Sequence, residues 1–469
     1  MSTFSGLGTA ASALAAARRG MDVVGQNITN QATEGYTRQR VSTSAIAAVA
    51  QSGRFSMGAL PGHGVSVDGI ARLGDALLDA RVRDTVSAAG FWSARALAAT
   101  TAETALVEPT EHGLATRLTQ FWNSWQDLGN TPDQGAAAAT VLQSASELAT
   151  QIAGGYRAVA TQWADGRQAA ERTVAQINTA ASQIAQLNTE IREALGAGRS
   201  ANELIDQRDS LVQTTARLAG AKGTLEADGT MTVRIDGNAL VSVGDARSLT
   251  LTGPAALDHP GALSVSWSGA DGFAASVEGG ELGGMLSVLA PAKDGGTLAG
   301  LADSYNKVAT ALATGVNDQH RLGVTAAGQN GGDFFALSAA GPAALGLTVA
   351  VQQASDLAVG KPGGGPLDAG NADTISQIGR IPGGPDSIWG DVVAGFAVAT
   401  AGDIQRAKLS DVASVAAMGA QRSVAGVDGD EETLSLLTYQ TAYQAAARVL
   451  TAVDESLDVL INRTGLVGR

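Results

Sequence analysis

A chain of 469 residues has room for roughly two to four domains, and a hydrophobic share of 45% against 16% charged residues is that of a folded protein. A formal net charge of −14, with no cluster of Lys and Arg, argues against nucleic acid or an anionic membrane surface as partner. The absence of cysteine excludes disulfides, thiolate metal sites and cysteine nucleophiles.

The first predicted element is a helix. Leu7, Ala10, Leu14, Ala17, Met21, Val24 and Ile28 alternate spacings of three and four, which keeps one apolar stripe facing a partner helix. Residues 7–17 are apolar, but Arg18 and Arg19 follow the run instead of preceding it, the wrong order for a secretory signal. No stretch reaches the length of about 18 apolar residues needed to span a bilayer. At Asn27, Asn30, Thr33 and Gly35 the helix signal stops: Asn and Thr bond the backbone locally and Gly takes the left-handed turn. An extended segment carrying Tyr36 and Arg38 follows.

Residues 41–70 read as extended, with a short strand signal at Val65 and Val67. Helix resumes at Asp75, divided at Pro109 and Pro132, and apolar residues from Val141 to Leu195 keep helical spacing, with Gly154, Gly155 and Gly166 as places for a bend. Residues 202–218 form an antiparallel return helix. Its Asp206, Arg208 and Asp209 read as an ion-pair cluster on a solvated face. At Gly220 the period switches to two: Met231, Val233 and Ile235, then Leu240, Val241 and Val243, predict a hairpin that Val265, Trp267, Phe273 and Val277 extend. Helix returns at Glu281, pauses at Pro291 and continues through Leu312. The section 325–385, rich in Gly and Pro, reads as loops or a reduced insertion with one short strand signal at Leu347, Val349 and Val351. Residues 392–422 are helical, and 426–429 hinge them to a final helix over 430–462, N-capped by Asp430 and followed by Gly465. Its seam is Leu436, Tyr439, Tyr443, Ala446, Leu450, Val453, Leu457 and Leu460.

The predicted fold is mainly α with a β-rich insertion. It is elongated, with nested domains, and its N- and C-terminal helices pair as a coiled-coil layer. Residues 1–40 with 426–469 form that layer, 41–220 with 281–425 a helical core, 221–280 a small sheet domain, and 325–385 the reduced insertion. A competing reading is an ordinary globular protein whose amphipathic ends dock on a core.

Chemistry is not legible. His63, His112, His259 and His320 stand alone, without a second ligand at helical spacing. No phosphate loop or nucleophile elbow is present, so no catalytic residue, metal or cofactor is expected.

The pattern Asn27-x-x-Asn30-x-x-Thr33-x-Gly35-Tyr36-x-Arg38 after an Ala-rich helix resembles the signature of bacterial flagellar rod, hook and hook-associated axial proteins. Residues Gly426-Val-Asp-Gly-Asp-Glu431-Glu432, leading into Tyr439-Gln440-x-Ala442-Tyr443, resemble the closing helix of the same group. Within it, Leu204-Ile-Asp206-Gln-Arg208-Asp209, Gly279-Gly-Glu281-Leu-Gly-Gly284, Asn317-Asp-Gln-His320 and Asp333-Phe-Phe335 resemble the hook-associated protein 1 family. Glu34 stands where the group often has proline.

The resemblance implies a secreted, extracellular structural subunit of the flagellum, exported by the type III apparatus and joining hook to filament. Its implied partners are further copies of itself, the hook protein, hook-associated protein 3, and an export chaperone at the C-terminal helix. The seam residues of both ends and the Asn27–Arg38 motif are the implied assembly contacts. A rod or hook subunit, or an enzyme carried on an axial fold, are the alternatives.

Overall fold

The computed structural model describes residues 3–47, 62–131, 134–269, 272–365 and 367–463. The chain opens with helix α1 (Thr3–Thr29), turns through 30–38 and pairs β1 (Gln39–Ala45) antiparallel with β2 (Val65–Arg72). Three helices follow: α2 (Ala76–Leu106), N-capped by Asp75, then α3 (Leu114–Asn130) and α4 (Gln134–Gly196). At 63 residues α4 runs unbroken, a length of about 95 Å at 1.5 Å per residue. Two of its glycines are contact points instead of bends: a Cβ on Gly155 would strike the Tyr305 ring, and one on Gly166 would press on Leu289, while Gly154 faces open space without breaking the helix. Helix α5 (Asn202–Ala219) returns along α4 and is closed by Gly220 at φ 68°.

The β-rich section holds two sheets, not one extended hairpin. Strands β3 (Lys222–Leu225), β4 (Met231–Ile235), β5 (Asn238–Ser242) and β6 (Asp245–Ala246) form the first, in sequential order. Strands β7 (Leu249–Thr252), β8 (Ser264–Trp267) and β9 (Ala274–Ala275) form the second. Gly253 and Gly269, both at positive φ, stand just beyond the ends of β7 and β8.

Helices α6 (Gly280–Leu289) and α7 (Thr297–Arg321) come next, then β10 (Phe335–Ala336), α8 (Ala343–Gly346), β11 (Thr348–Val349) and α9 (Gly370–Ser376). Helix α10 (Pro385–Ala425) starts earlier than its apolar period indicates, because Pro385 takes the first helical position, where no N–H is needed. The last helix is α11 (Gly429–Asp458), continued by a π-helical turn at Val459–Arg463. Its cap is Asp428, which accepts from the N–H groups of Asp430 and Glu431; Asp430 itself lies inside the first turn. Pro132 and Gly465 lie outside the described residues.

Two cores share α4 as a spine. The first packs its N-terminal half with α3, α7 and Trp389, and section 325–385 contributes Phe334, Phe335, Leu347, Leu357, Val359 and Ile375 to it. That section is therefore woven into the helical body, for a reason its composition hides. Asn317 accepts from the N–H groups of Phe334 and Phe335 and donates to the Phe335 carbonyl, while His320 bonds Gly332 and Ala358. The second core packs the C-terminal half of α4 with α5, both sheets and Leu282. Helices α2 and α10 lie together against this body, joined by Arg95–Asp403 at 3.0 Å and by Gln421 donating to Asp79. No described helix is long and apolar enough to cross a membrane.

Candidate assembly interface

The two ends of the chain meet in one antiparallel pair. Gly6 lies against Val453, Gly20 against the Tyr439 ring, and Asn27 donates to Glu432. Steps of fourteen and seven residues on α1 are thus matched in reverse on α11, the heptad register of a coiled coil. The seam that faces α11 is Gly6, Ala10, Ala13, Ala17, Gly20, Val24 and Asn27. Here small side chains let the helix axes approach closely.

The predicted stripe shares Ala10, Ala17 and Val24 with this seam, and all three are buried. Its large members are displaced. Leu7, Leu14, Met21 and Ile28 recur every seven residues about 80° round the helix from the seam, at 100° per residue. Leu7, Leu14 and Met21 are left half-buried and Ile28 is exposed, at 38%. On the other side of α1, Thr9 and Ser12 meet the β1–β2 hairpin at Gly64 and Val65. On α11, Ala446 is buried, while Leu436, Tyr439, Leu450, Val453 and Leu457 are half-buried. Tyr443 is exposed, and so is Leu460, which sits in the π turn.

Where α1 ends, the Asn27–Arg38 motif ties four segments together. Asn30 and Thr33 serve the turn itself: Thr33 Oγ1 donates to Asn30 Oδ1, and Gly35 takes φ 78°. Asn27, fully buried, uses its whole amide. Its Oδ1 accepts from Tyr36 Oη and the Gln39 N–H, and its Nδ2 donates to the Gln39 carbonyl and Glu432 Oε2. Arg38 reaches Glu432 at 2.7 Å and Glu431 at 2.6 Å, and its N–H donates to the Ala425 carbonyl at the end of α10. Burial tends to lower the Arg38 pKa, but the two carboxylates outweigh it and hold the guanidinium above its ordinary value. Burial, reinforced by Glu203, Asp206 and Glu432, pushes the Tyr36 phenol up to about 12, so it remains a donor.

A second network anchors this knot to the body. Asp206, read from sequence as solvated, is buried; it accepts from the Thr37 N–H and pairs with Arg72 of β2 at 2.6 Å. Burial still lifts its pKa above the ordinary carboxylate value, outweighing Arg72 and Thr37. Arg208 is 1% exposed, donating to the Gly229 carbonyl and to Asp209. The solvated-face reading fails because α5 is covered on both flanks, by α4 and the β3–β4 turn on one and by β2 and the 35–38 turn on the other.

Residues 279–284 mark a second close crossing. Gly280 takes φ 69° with its α-carbon against the end of α5, and a Cβ on Gly284 would strike the Phe91 carbonyl of α2. Between this crossing and the 31–38 turn runs a cleft of about 1700 Å³, walled by α2 and α10 on one side and by α4, α5 and α6 on the other. Glu432, Gly6 and Gly20 carry much of the pairing yet were not singled out as contacts. The seam of small residues shows the same three-four alternation, one residue out of phase with the predicted stripe.

The sequence model for the flagellar hook-associated protein FlgK helical domain matches residues 99–335, just over half of the chain, and that for the flagellar basal body rod FlgEFG protein C-terminal region matches 422–463. Flagellar hook-associated protein 1 of Bacillus subtilis is 28% identical over 507 residues, an alignment covering 100% of both chains. Its Escherichia coli counterpart is 30% identical over 76% of this chain and 63% of that one. Among solved structures, the flagellar hook junction protein FlgK from Burkholderia pseudomallei has a similar fold, with a TM-score of 0.63 at 16% identity, covering 73% of this chain and 100% of that one. The helical body, the closing helix and the full-length relative agree: the chain belongs to the flagellar hook-associated protein FlgK family.

Proposed function

We propose that the chain is a structural subunit of the hook–filament junction that leaves the cell through the flagellar type III apparatus and polymerises through the open side of its terminal helix pair. One observation carries this reading. The pair closes on its small-residue seam and leaves the larger apolar stripe, from Leu7 to Ile28 with Tyr443, incompletely covered. Covering a large apolar side chain fully is worth about 1.5–3 kcal/mol, so a third helix supplied by a neighbouring copy has a driving force waiting for it. The hook protein and hook-associated protein 3 are the proposed neighbours on either side, and an export chaperone the proposed holder of α11 before assembly. The role is structural and not catalytic.

The test uses Tyr443→Asp and Leu450→Asp, followed by sedimentation of purified protein and by filament attachment in cells lacking the native chain. Polymerisation and attachment are expected to be lost while the body stays folded. Normal assembly by both variants would remove the open side from the mechanism. Hydrolysis of peptidoglycan or casein by the purified chain would overturn the non-catalytic reading.

A further inference from the structure

Away from the terminal pair, helix α10 leaves a long apolar face uncovered. Val398, Ala401, Gln405, Leu409, Val412 and Ala416, at spacings of three and four, are all exposed, and only Gln405 among them is polar. Ala394 and Gly419 extend the stripe at its ends. Val398, Leu409 and Val412 are 74%, 61% and 66% exposed. Beyond Trp389, α10 buries only Thr400, Asp403, Ser414 and Ala417, so it stands out from the body as a ridge. The 25 residue steps from Ala394 to Gly419 make that ridge about 37 Å long at 1.5 Å per residue.

The cleft of about 1700 Å³ beside it is the concave counterpart. Helix α2 lines it from Asp79 to Thr101, a run of about 33 Å. Inside it Leu97 is 71% exposed, and Ala94, Ala98, Met285, Val288 and Leu289 share the lining. A large apolar side chain thus lies open in a groove as long as the ridge. Helix α10 contributes Ala407, Asp411 and Met418 to the cleft, and these lie about 140° round the helix from the stripe at 100° per residue. The ridge of a chain therefore points away from its own cleft.

We propose that the ridge of α10 seats in the cleft of a second copy, a head-to-tail contact that repeats from subunit to subunit. The contact rests on the reading of the chain as a polymerising subunit. Area decides between this arrangement and the pairing of two ridges face to face. A flat stripe about 37 Å long and about 10 Å wide covers about 370 Å² per copy, roughly half of the about 800 Å² per partner found in stable complexes. A cleft also reaches the flanks of the helix. Face-to-face pairing is moreover twofold and closes as a dimer, whereas a ridge and a cleft on different faces of one chain propagate.

The chain contains no cysteine, so introduced thiols report on each other. Leu97→Cys is expressed together with Val398→Cys, Leu409→Cys or Val415→Cys in cells lacking the native chain, and isolated flagella are treated with a short bismaleimide. A covalent dimer is expected that needs both variants. Dimers formed equally well by the α10 variants alone, or incorporated chain without any cross-link, would overturn the contact and leave the junction reading standing. Absence of the wild-type chain from isolated flagella would overturn the junction reading and this contact with it. Leu97→Glu and Val412→Glu, each at an exposed position, should keep the native melting temperature yet cut the incorporated chain about tenfold, because assembly would bury the new charge. Undiminished incorporation of both would also overturn the contact.

Discussion

Replacing Arg38 with Met tests whether the knot between the chain ends is what holds the terminal pair to the body. The side chain of Glu432 is 2% exposed and its carboxylate has two partners, Arg38 Nε at 2.7 Å and Asn27 Nδ2 at 2.9 Å. Arg38→Met keeps most of the apolar stem and removes only the cation. Removing one member of a buried ion pair costs about 3–5 kcal/mol when the survivor is left uncompensated. Two facts reduce that here: the Arg38 side chain is 21% exposed, so water reaches the site, and Asn27 goes on donating. The penalty should be about 2–3 kcal/mol. It should be local, because the body's two cores contain neither residue.

Hydrogen exchange under native conditions reads it directly. Amides of Thr3–Thr29 and Gly429–Asp458 should exchange about 30- to 150-fold faster in the variant, at about 1.4 kcal/mol per decade. Those of α4 and α7 should not change. Adding Glu432→Gln removes the stranded charge and should recover part of the loss, a coupling visible in a double-mutant cycle. Unchanged exchange in the terminal helices of Arg38→Met would refute the assignment of the knot; equal acceleration throughout the chain would refute its locality.

Gly20→Ala places a methyl inside the Tyr439 ring and should weaken the terminal pair by about 1–3 kcal/mol, whereas Gly25→Ala, with open space at its Cβ, should stabilise α1 by up to about 1 kcal/mol; exchange of the same helices separates the two. Asn317→Ala leaves the N–H groups of Phe334 and Phe335 and the Phe335 carbonyl without their buried partner and should lower stability by about 2–4 kcal/mol in urea unfolding. His320 is held below its ordinary value of 6.5 chiefly by burial, against the opposing pull of Gly332 and Asp333. A histidine kept neutral in the fold gives its full contribution above pH 6.5 and loses it as pH falls towards the folded value, since only the unfolded chain then takes the proton. The melting temperature should therefore drop between pH 7 and pH 5, and the drop should be smaller in His320→Gln.

Helices were legible wherever one face met one partner. The spacing of Leu298, Leu301, Tyr305, Val308 and Leu312 was enough for α7, and the strict alternation at Met231, Val233 and Ile235 for β4, because in each the buried side chains are the large ones. Legibility failed where polar side chains did the joining. Asn317 and His320 bind a Gly-rich segment into the first core through backbone hydrogen bonds, so its composition reads as loop while its phenylalanines are buried. Asp206 and Arg208 look like surface charges because a sequence shows the charge but not the guanidinium or N–H that arrives from β2 or the 35–38 turn. Val265 and Trp267 carried the right period for a strand, but nothing in an alternating pattern says which of two sheets it joins.

The terminal helix makes the strongest case, because its pattern was read one residue away from the contact. A helix that pairs once needs a single stripe. Helix α1 has two that interlock, the small-residue seam and the heptad of Leu7, Leu14, Met21 and Ile28, with Ala10, Ala17 and Val24 common to the seam and the predicted stripe. A search for large apolar residues finds the second stripe, and burial within one chain selects the first. If the pair were complete in the monomer, substitution of Met21 by Gln would be nearly neutral in every assay. If a neighbour covers the second stripe, the same substitution should leave monomer stability within about 1 kcal/mol and still shift the concentration required for polymerisation severalfold. Measuring both quantities on Met21→Gln distinguishes a helix that has finished packing from one that has packed only its inner face.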